Sequence, residues 1–359
     1  MIRFFQMLFI IGVIGSLGLW GMYRQGIAKL RPWWVLVLFW LMPGLFVLGN
    51  VGINLLPRAI IRIVAWTSGV WVGVFFYSIL VLPVFLLIWL IGKICHKPKA
   101  APLAARLFLV FNVAFTAFGF WRATHPVVRE LTYQTDKALP GPYKIVFVSD
   151  LHFGGLFGMS YGEALAQHIN DQKPDLVLIG GDIVDRDLPF VKREGSLKTL
   201  AAIKAKDGVF AVFGNHDRMA GTSAEERKLL EAEGIPFLVD ENRKINEAIN
   251  LTGLDDYRMG NRYAQFAPEP GKFNILLEHE PMRIKEAAAK GYELYFAGHT
   301  HAGQLFPIRL ITKKMYDLDY GSQYFEQMLT TVSSGYGLWG IPVRTGPRPE
   351  IVVVRIENR

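Results

Sequence analysis

The chain holds one cysteine, Cys95, among 359 residues. That excludes an internal disulfide and any metal cage built on thiolates. Charge is scarce as well: Asp, Glu, Lys and Arg make up 19% of the chain, against 51% hydrophobic residues. The scarcity is local. Residues 4–22 (FFQMLFIIGVIGSLGLWGM), 33–50 (WWVLVLFWLMPGLFVLGN) and 67–92 (TSGVWVGVFFYSILVLPVFLLIWLIG) carry no charge. Residues 107–121 (LFLVFNVAFTAFGFW) form a shorter uncharged run that Leu103–Ala105 extend past Arg106. A helix needs about 20 apolar residues to cross the hydrocarbon core. Trp20, Tyr23, Trp33, Trp34, Trp71, Trp89 and Trp121 sit at or near the edges of these runs, as an interfacial belt requires.

These runs read as an all-α transmembrane domain over residues 1–122, with four spans at about 4–22, 33–50, 68–91 and 103–121. A cleaved signal peptide fits the first run poorly, because no small-x-small site follows and further apolar runs do. Pro43 and Pro83 lie inside two runs, where neighbouring membrane helices accommodate kinks. Residues 51–66 space Arg58 and Arg62 four apart among aliphatics and read as a short helix lying in the interface. The net charge is +8, but its carriers are scattered, and many flank the apolar runs. Contact with anionic headgroups of a lipid bilayer is their simplest role. No basic stripe with interleaved aromatics occurs in the second half, so a nucleic-acid partner is not expected.

From about residue 123 the chain turns polar (THPVVRELTYQTDKALPGPY), which reads as a linker over 123–142 containing a first strand. Beyond it, residues 143–359 are enough for one well-buried core. Apolar strands alternate there with helical patterns: strands at 144–148, 175–179, 209–213, 273–277, 293–297 and the C-terminal EIVVVRI. Helices are expected at 162–170, 192–205, 223–233 and 282–290, the third opened by Ser223 with Glu226 three residues on, a capping box. The alternation predicts an α/β sandwich, its sheets flanked by helices.

Polar residues cluster where these strands end. The strands run into Asp150-Leu-His152, Gly181-Asp182-Ile-Val-Asp185-Arg186, Gly214-Asn215-His216-Asp217, Glu278-His279-Glu280 and Gly298-His299-Thr-His301. Each alone fits a solvated turn; five together at carboxyl ends, where α/β sheets gather ligands, do not. In extended backbone the side chains of His299 and His301 would point the same way. Oxygen and nitrogen donors without sulfur suit Mn, Fe, Zn or Mg. Asp150, His152, Asp182, Asn215, His279, His299 and His301 make seven donors, too many for one tetrahedral site and about right for two divalent ions sharing a carboxylate. His216 lies beyond that set, suited to move a proton or stabilise charge.

The order DLH, GDIVDR, GNHD, HE, GHTH resembles the calcineurin-like metallophosphoesterases across about 143–356. The ending G-H-T-H-x-G-Q, with Gly303 and Gln304, is most similar to membrane-tethered bacterial members akin to exported phosphodiesterases. The resemblance implies that Asp150, His152 and His301 hold a first metal, that Asn215, His279 and His299 hold a second, and that Asp182 bridges them. It also implies that Asp185 orients a catalytic His216 and that Arg186 contacts phosphate, a structural salt bridge being the other role open to that arginine. The function implied is a membrane-anchored phosphoesterase, diesterase before monoesterase, in which a metal-bridging hydroxide attacks phosphorus. Two alternatives stay open: a lipid-linked pyrophosphatase acting on a nucleotide-diphospho-lipid, and a catalytically silent membrane module. An amphiphilic phosphorylated substrate suits a hydrolase beside four spans. Seven Lys and Arg in loops 23–32 and 93–106 face six on the opposite side, which leans towards an extracytoplasmic catalytic domain.

Overall fold

The computed structural model of the chain describes residues 2–30, 32–219 and 221–359, with backbone alone for residues 2–5 and 8. It divides into two compact units. One comprises Met1–Trp121 with Gly340–Val343, the other Arg122–Trp339 with Arg344–Arg359.

The first unit is helical: α1 (Ile2–Gly26), α2 (Trp33–Val51), α3 (Arg58–Ile94) and α4 (Ala100–Ala123). Three of them, α2, α3 and α4, are long and apolar enough to cross a membrane among the described residues, not the four expected. The first expected span is helical throughout as α1, but part of it lies outside the residues whose side chains are described. The separate interfacial helix expected at 51–66 does not form. Pro57 precedes the first turn of α3, no breaker follows before Pro83, and the helix runs 37 residues, about 55 Å at 1.5 Å per residue. Leu19, Met22, Tyr23, Phe85, Ala101, Ala104 and Ala105 pack at the helix contacts. A polar knot sits beside them: Asn112 Nδ2 donates to Tyr23 Oη at 2.6 Å and to Ser78 Oγ at 3.1 Å, joining α1, α3 and α4. Large apolar side chains such as Leu38, Leu87 and Val110 face outward, as lipid contact requires.

The second unit follows the order β1 (Val127–Thr135), β2 (Tyr143–Val148), α5 (Met159–Asp171), β3 (Leu176–Ile179), α6 (Leu188–Glu194), β4 (Val209–Ala211), α7 (Asn215–Met219), α8 (Ser223–Ala232), β5 (Glu241–Lys244), β6 (Ile249–Gly253), β7 (Phe273–Leu277), α9 (Ile284–Lys290), β8 (Leu294–Ala297), α10 (Arg309–Met315), β9 (Gly321–Phe325), β10 (Met328–Val332) and β11 (Glu350–Asn358). Its strands form two sheets, β1-β11-β2-β3-β4 and β5-β6-β7-β8-β10-β9. Within them β2, β3 and β4 are parallel, as are β6, β7, β8 and β10. Alternate residues of the two sheets meet in one core: Ile145, Phe147, Leu176 and Leu178 face Phe273, Ile275, Leu277, Leu294 and Phe296. The Phe147 and Phe296 ring centroids lie 5.0 Å apart. On the outer face of the second sheet, Leu276, Tyr295 and Ala297 pack against Ile284, Ala287 and Ala288 of α9. Burial on both faces is why these strands read as unbroken apolar runs.

Two helical expectations need correction. The helix expected at 192–205 is α6 followed by a 3₁₀ segment at Ser196–Ala202, broken where Gly195 turns left-handed at φ 80°. The capping box at Ser223 is not made: Thr222 is the N-cap and no side chain caps α8.

Candidate metal centre

Parallel β2, β3 and β4 all deliver their following loops to one end of the first sheet, and parallel β7 and β8 do the same in the second. Asp150 and His152 follow β2, Asp182 follows β3 and Asn215 opens α7 after β4; His279 follows β7, and His299 and His301 follow β8. The loops are stitched together by backbone. His152 N–H donates to the Asp182 carbonyl at 2.9 Å, and His299 N–H donates to the Asp150 carboxylate at 3.1 Å.

The donor atoms fall into two adjoining groups. In the first, His152 Nε2 lies 3.0 Å from His301 Nε2, which lies 3.4 Å from Asp150 Oδ1. In the second, His279 Nε2 lies 3.2 Å from both Asn215 Oδ1 and His299 Nδ1. Asp182 stands between them. Its Oδ1 accepts the His216 N–H at 2.8 Å, while Oδ2 lies 3.3 Å from His279 Nε2 and 3.8 Å from His152 Nε2. All seven candidate ligands expected from the sequence are brought together.

The reason given for the H-x-H pair does not survive. His299 and His301 are not extended: φ is 69° and 47°, in the left-handed region, and the two imidazoles turn to different groups. Asp150, His152 and Asp182 share that backbone region at φ 49° to 55°. Left-handed non-glycine residues are costly and cluster where function demands them.

The distal nitrogens explain how the rings are held. His279 Nδ1–H donates to the Gly180 carbonyl at 2.7 Å, leaving Nε2 free. His152 Nδ1 lies 3.4 Å from Asp185 Oδ1, and His299 Nε2 lies 3.6 Å from Glu280 Oε1. His301 Nδ1 faces a cation instead, accepting from Arg344 Nη2 at 3.2 Å. Arg344 is fully buried and also donates to the carbonyls of Ser334, Gly337 and Pro347. Arg344 and Glu280 were not singled out by sequence reasoning; Glu280 was visible only as a neighbour of His279, and Arg344 carries no motif.

His216 stands at the edge of the first group, its ring 4.8 Å from that of His152. Its Nδ1–H donates to the Asp185 carbonyl at 2.6 Å, with Asp185 Oδ1 3.1 Å from the same nitrogen. Asp185 therefore touches His216 by backbone and side chain, and touches His152 as well. Arg186 Nε lies 3.9 Å from Asp185 Oδ1. Asp217 ties loops together, accepting from Val184 N at 3.0 Å and Gly214 N at 2.8 Å.

Electrostatics fit a cation. Burial pushes the Asp182 carboxyl up, but His279 and His216 beside it hold it well below the usual carboxylate range. Burial pulls His279 down, and Asp182 overrides it to raise the imidazole well above its usual value. Positive charge is thus drawn to the point where Asp182 and His279 face each other. Burial and His279 pull His299 down to about 3, and burial and His152 hold His301 well below its ordinary value. His299 and His301 are thereby kept neutral, the form in which an imidazole binds a divalent ion. Burial also pulls on His216, but Asp182 and Asp185 carry it up to about 9.

Two glycines are fixed by these contacts. A Cβ on Gly298 would lie 2.4 Å from Asp150 Oδ2, and one on Gly214 would lie 2.1 Å from Asp182 Oδ1.

A two-sheet α/β sandwich gathering His, Asp and Asn side chains at its strand ends defines a candidate metal-binding protein. A family model described as calcineurin-like phosphoesterase matches residues 143–303. An uncharacterized metallophosphoesterase of Helicobacter pylori is 32% identical over 268 residues, covering 70% of each chain. A transmembrane protein with metallophosphoesterase domain from Danio rerio is 27% identical over 327 residues, covering 80% of this chain and 74% of that one. The metallophosphoesterase YkuE of Bacillus subtilis is 29% identical over 262 residues, 67% of this chain and 90% of its own. This chain belongs to the calcineurin-like metallophosphoesterases, metal-dependent hydrolases of phosphoesters. Its apolar helices and its transmembrane relatives associate it with a membrane.

Proposed function

We propose that the chain is a membrane-anchored phosphodiesterase that works with two divalent cations. The observation that carries this reading is the position of Asp182 Oδ2, 3.3 Å from His279 Nε2 and 3.8 Å from His152 Nε2, between two donor groups. Asp150, His152 and His301 would hold one ion, Asn215, His279 and His299 the other, with Asp182 available to both. Mn, Fe, Zn and Mg all suit such oxygen and nitrogen donors. When bound, the pair supplies Lewis acidity and an activated water for attack at phosphorus.

The chain's own residues do the rest. His216, with Nδ1 committed to Asp185, would give a proton from Nε2 to the leaving oxygen as the bond breaks. Asp185 fixes the ring through Nδ1 and so keeps Nε2 pointing at substrate. Arg186, next to Asp185, is placed to meet a non-bridging phosphoryl oxygen. The intact donor set supports an active enzyme over a silent module.

The test compares bis(p-nitrophenyl) phosphate with p-nitrophenyl phosphate, with Mn²⁺ and with excess chelator. Faster diester turnover, abolished by chelator and by Asp182→Asn, is expected. A D182N chain that keeps both metals and full activity would sink the assignment. For sidedness, seven Lys and Arg in loops 23–32 and 93–106 against six opposite lean towards a catalytic domain outside the cytoplasm. Cys95 is exposed at the end of α3 and serves as the reporter. An impermeant maleimide should leave it unlabelled in intact cells; labelling would reverse the orientation.

A further inference from the structure

Phe306–Met315 is built unlike the rest of the catalytic unit. Phe306, Leu310, Ile311 and Met315 are each 55–60% exposed, four large apolar side chains uncovered within ten residues. No residue of α10 is buried. The exposure is held in place. Thr312 Oγ1 donates to Asp319 Oδ2 at 2.9 Å and Arg309 Nε lies 3.3 Å from the same oxygen, fastening one side of the helix. At 100° per residue, Leu310, Ile311 and Met315 share the opposite arc. Lys313 flanks that arc and Lys314 projects from within it, both exposed, and residues 305–316 contain no acid.

The patch is also tied to the metal centre. It begins five residues after His301 and ends at Tyr316, whose ring lies 6.1 Å from that of His299. Thr300, between the two histidines, donates through Oγ1 to the Asp319 carbonyl at 2.5 Å. Gln304 holds the turn into the patch by bracketing Trp339, donating to its carbonyl at 3.2 Å and accepting its N–H at 2.9 Å.

The geometry points to this segment as a lipid-seating surface that enters the headgroup region of a bilayer containing anionic lipid and presents the metal centre with an amphiphilic phosphoester from that interface. Exposed apolar side chains with exposed lysines on one short helix are the chemistry of an interfacial segment. The lysines complement anionic headgroups, each strengthening binding roughly fivefold near the surface. The same chain carries helices long enough to cross a bilayer, so the occupant is close at hand. The substrate half of this inference rests on the phosphodiesterase reading; the lipid-seating half does not.

The test uses the full chain, Cys95→Ser, with Ile311→Cys carrying bimane, in nanodiscs of 3:1 phosphatidylcholine to phosphatidylglycerol. Shallow doxyl-lipid should quench this probe and spare one at Glu247→Cys. An unquenched probe overturns the inference. So does a probe shielded equally in detergent, which would place a second copy of the chain on the patch. In parallel, Leu310→Ser/Met315→Ser should lower hydrolysis of a headgroup-labelled phosphatidylethanolamine in the same disc about tenfold and leave soluble bis(p-nitrophenyl) phosphate untouched. Equal loss on both substrates, or on neither, overturns the substrate half. Quenching intact with no turnover of either ester by the wild-type chain rejects the diesterase reading and leaves the lipid-seating surface standing.

Discussion

Asp150, His152, Asp182, His299 and His301 occupy left-handed backbone because a donor must turn back over the end of its own strand to meet a donor from the next. The chemistry of these residues was legible in the sequence, since five apolar runs that each end in Asp, Asn or His do not fit solvated turns. Their conformation was not: the extended-strand argument had His299 and His301 pointing the same way, and the left-handed turn sends them to different groups. Their supports were less legible still. Arg344 reaches His301 across 43 residues and Glu280 reaches His299 across 19, contacts that only the folded chain defines. Glu280→Gln should weaken metal binding about 10–100-fold, because it replaces the carboxyl acceptor behind His299 with an amide of the same shape. Competition against a fluorescent chelator reads this out, and unchanged affinity would deny Glu280 its role. Gly298→Ala has no room for its methyl beside Asp150. It should lose metal at the first group, seen as reduced metal content of a chain that still folds by circular dichroism.

At the scale of elements, the short strands announced themselves because β2, β3, β7 and β8 are buried on both faces and leave no polar alternation to confuse with helix. Helices read less well. Gly195 inside an amphipathic pattern breaks α6 from the 3₁₀ segment, and Arg58 and Arg62 failed to mark a separate helix because nothing after Pro57 interrupts α3. The strands β5, β6, β9 and β10 went unseen: β5 and β9 are edge strands with exposed, polar sequences, ENRK and GSQYF, while β6 and β10 are buried but carry polar residues within INLTG and MLTTV. Among the helices of the first unit, the Asn112–Tyr23–Ser78 knot is the polar contact joining α1, α3 and α4. Asn112→Ala should destabilise the detergent-solubilised chain by about 1 kcal/mol, the usual worth of such bonds between apolar helices. A lower thermal midpoint with phosphodiesterase rate unchanged at 20 °C is the expected pattern.

Taken as a whole, the catalytic unit divides its donors between its two sheets: Asp150, His152, Asp182 and Asn215 from one, His279, His299 and His301 from the other. Cations bound between them would clamp the sandwich at one end, and metal would then favour the folded state by mass action. Chelation should lower the thermal midpoint of the second unit's transition, and a midpoint indifferent to metal would mean the donors are not engaged. The account rests most heavily on two ions sharing Asp182. Its most direct test is to strip the purified chain, add Mn²⁺ stepwise, and follow both bound metal and hydrolysis of bis(p-nitrophenyl) phosphate. Two equivalents bound per chain, with turnover rising as the second is filled, is the predicted result. Full turnover in the stripped chain, or saturation of both binding and rate at one equivalent, would contradict it.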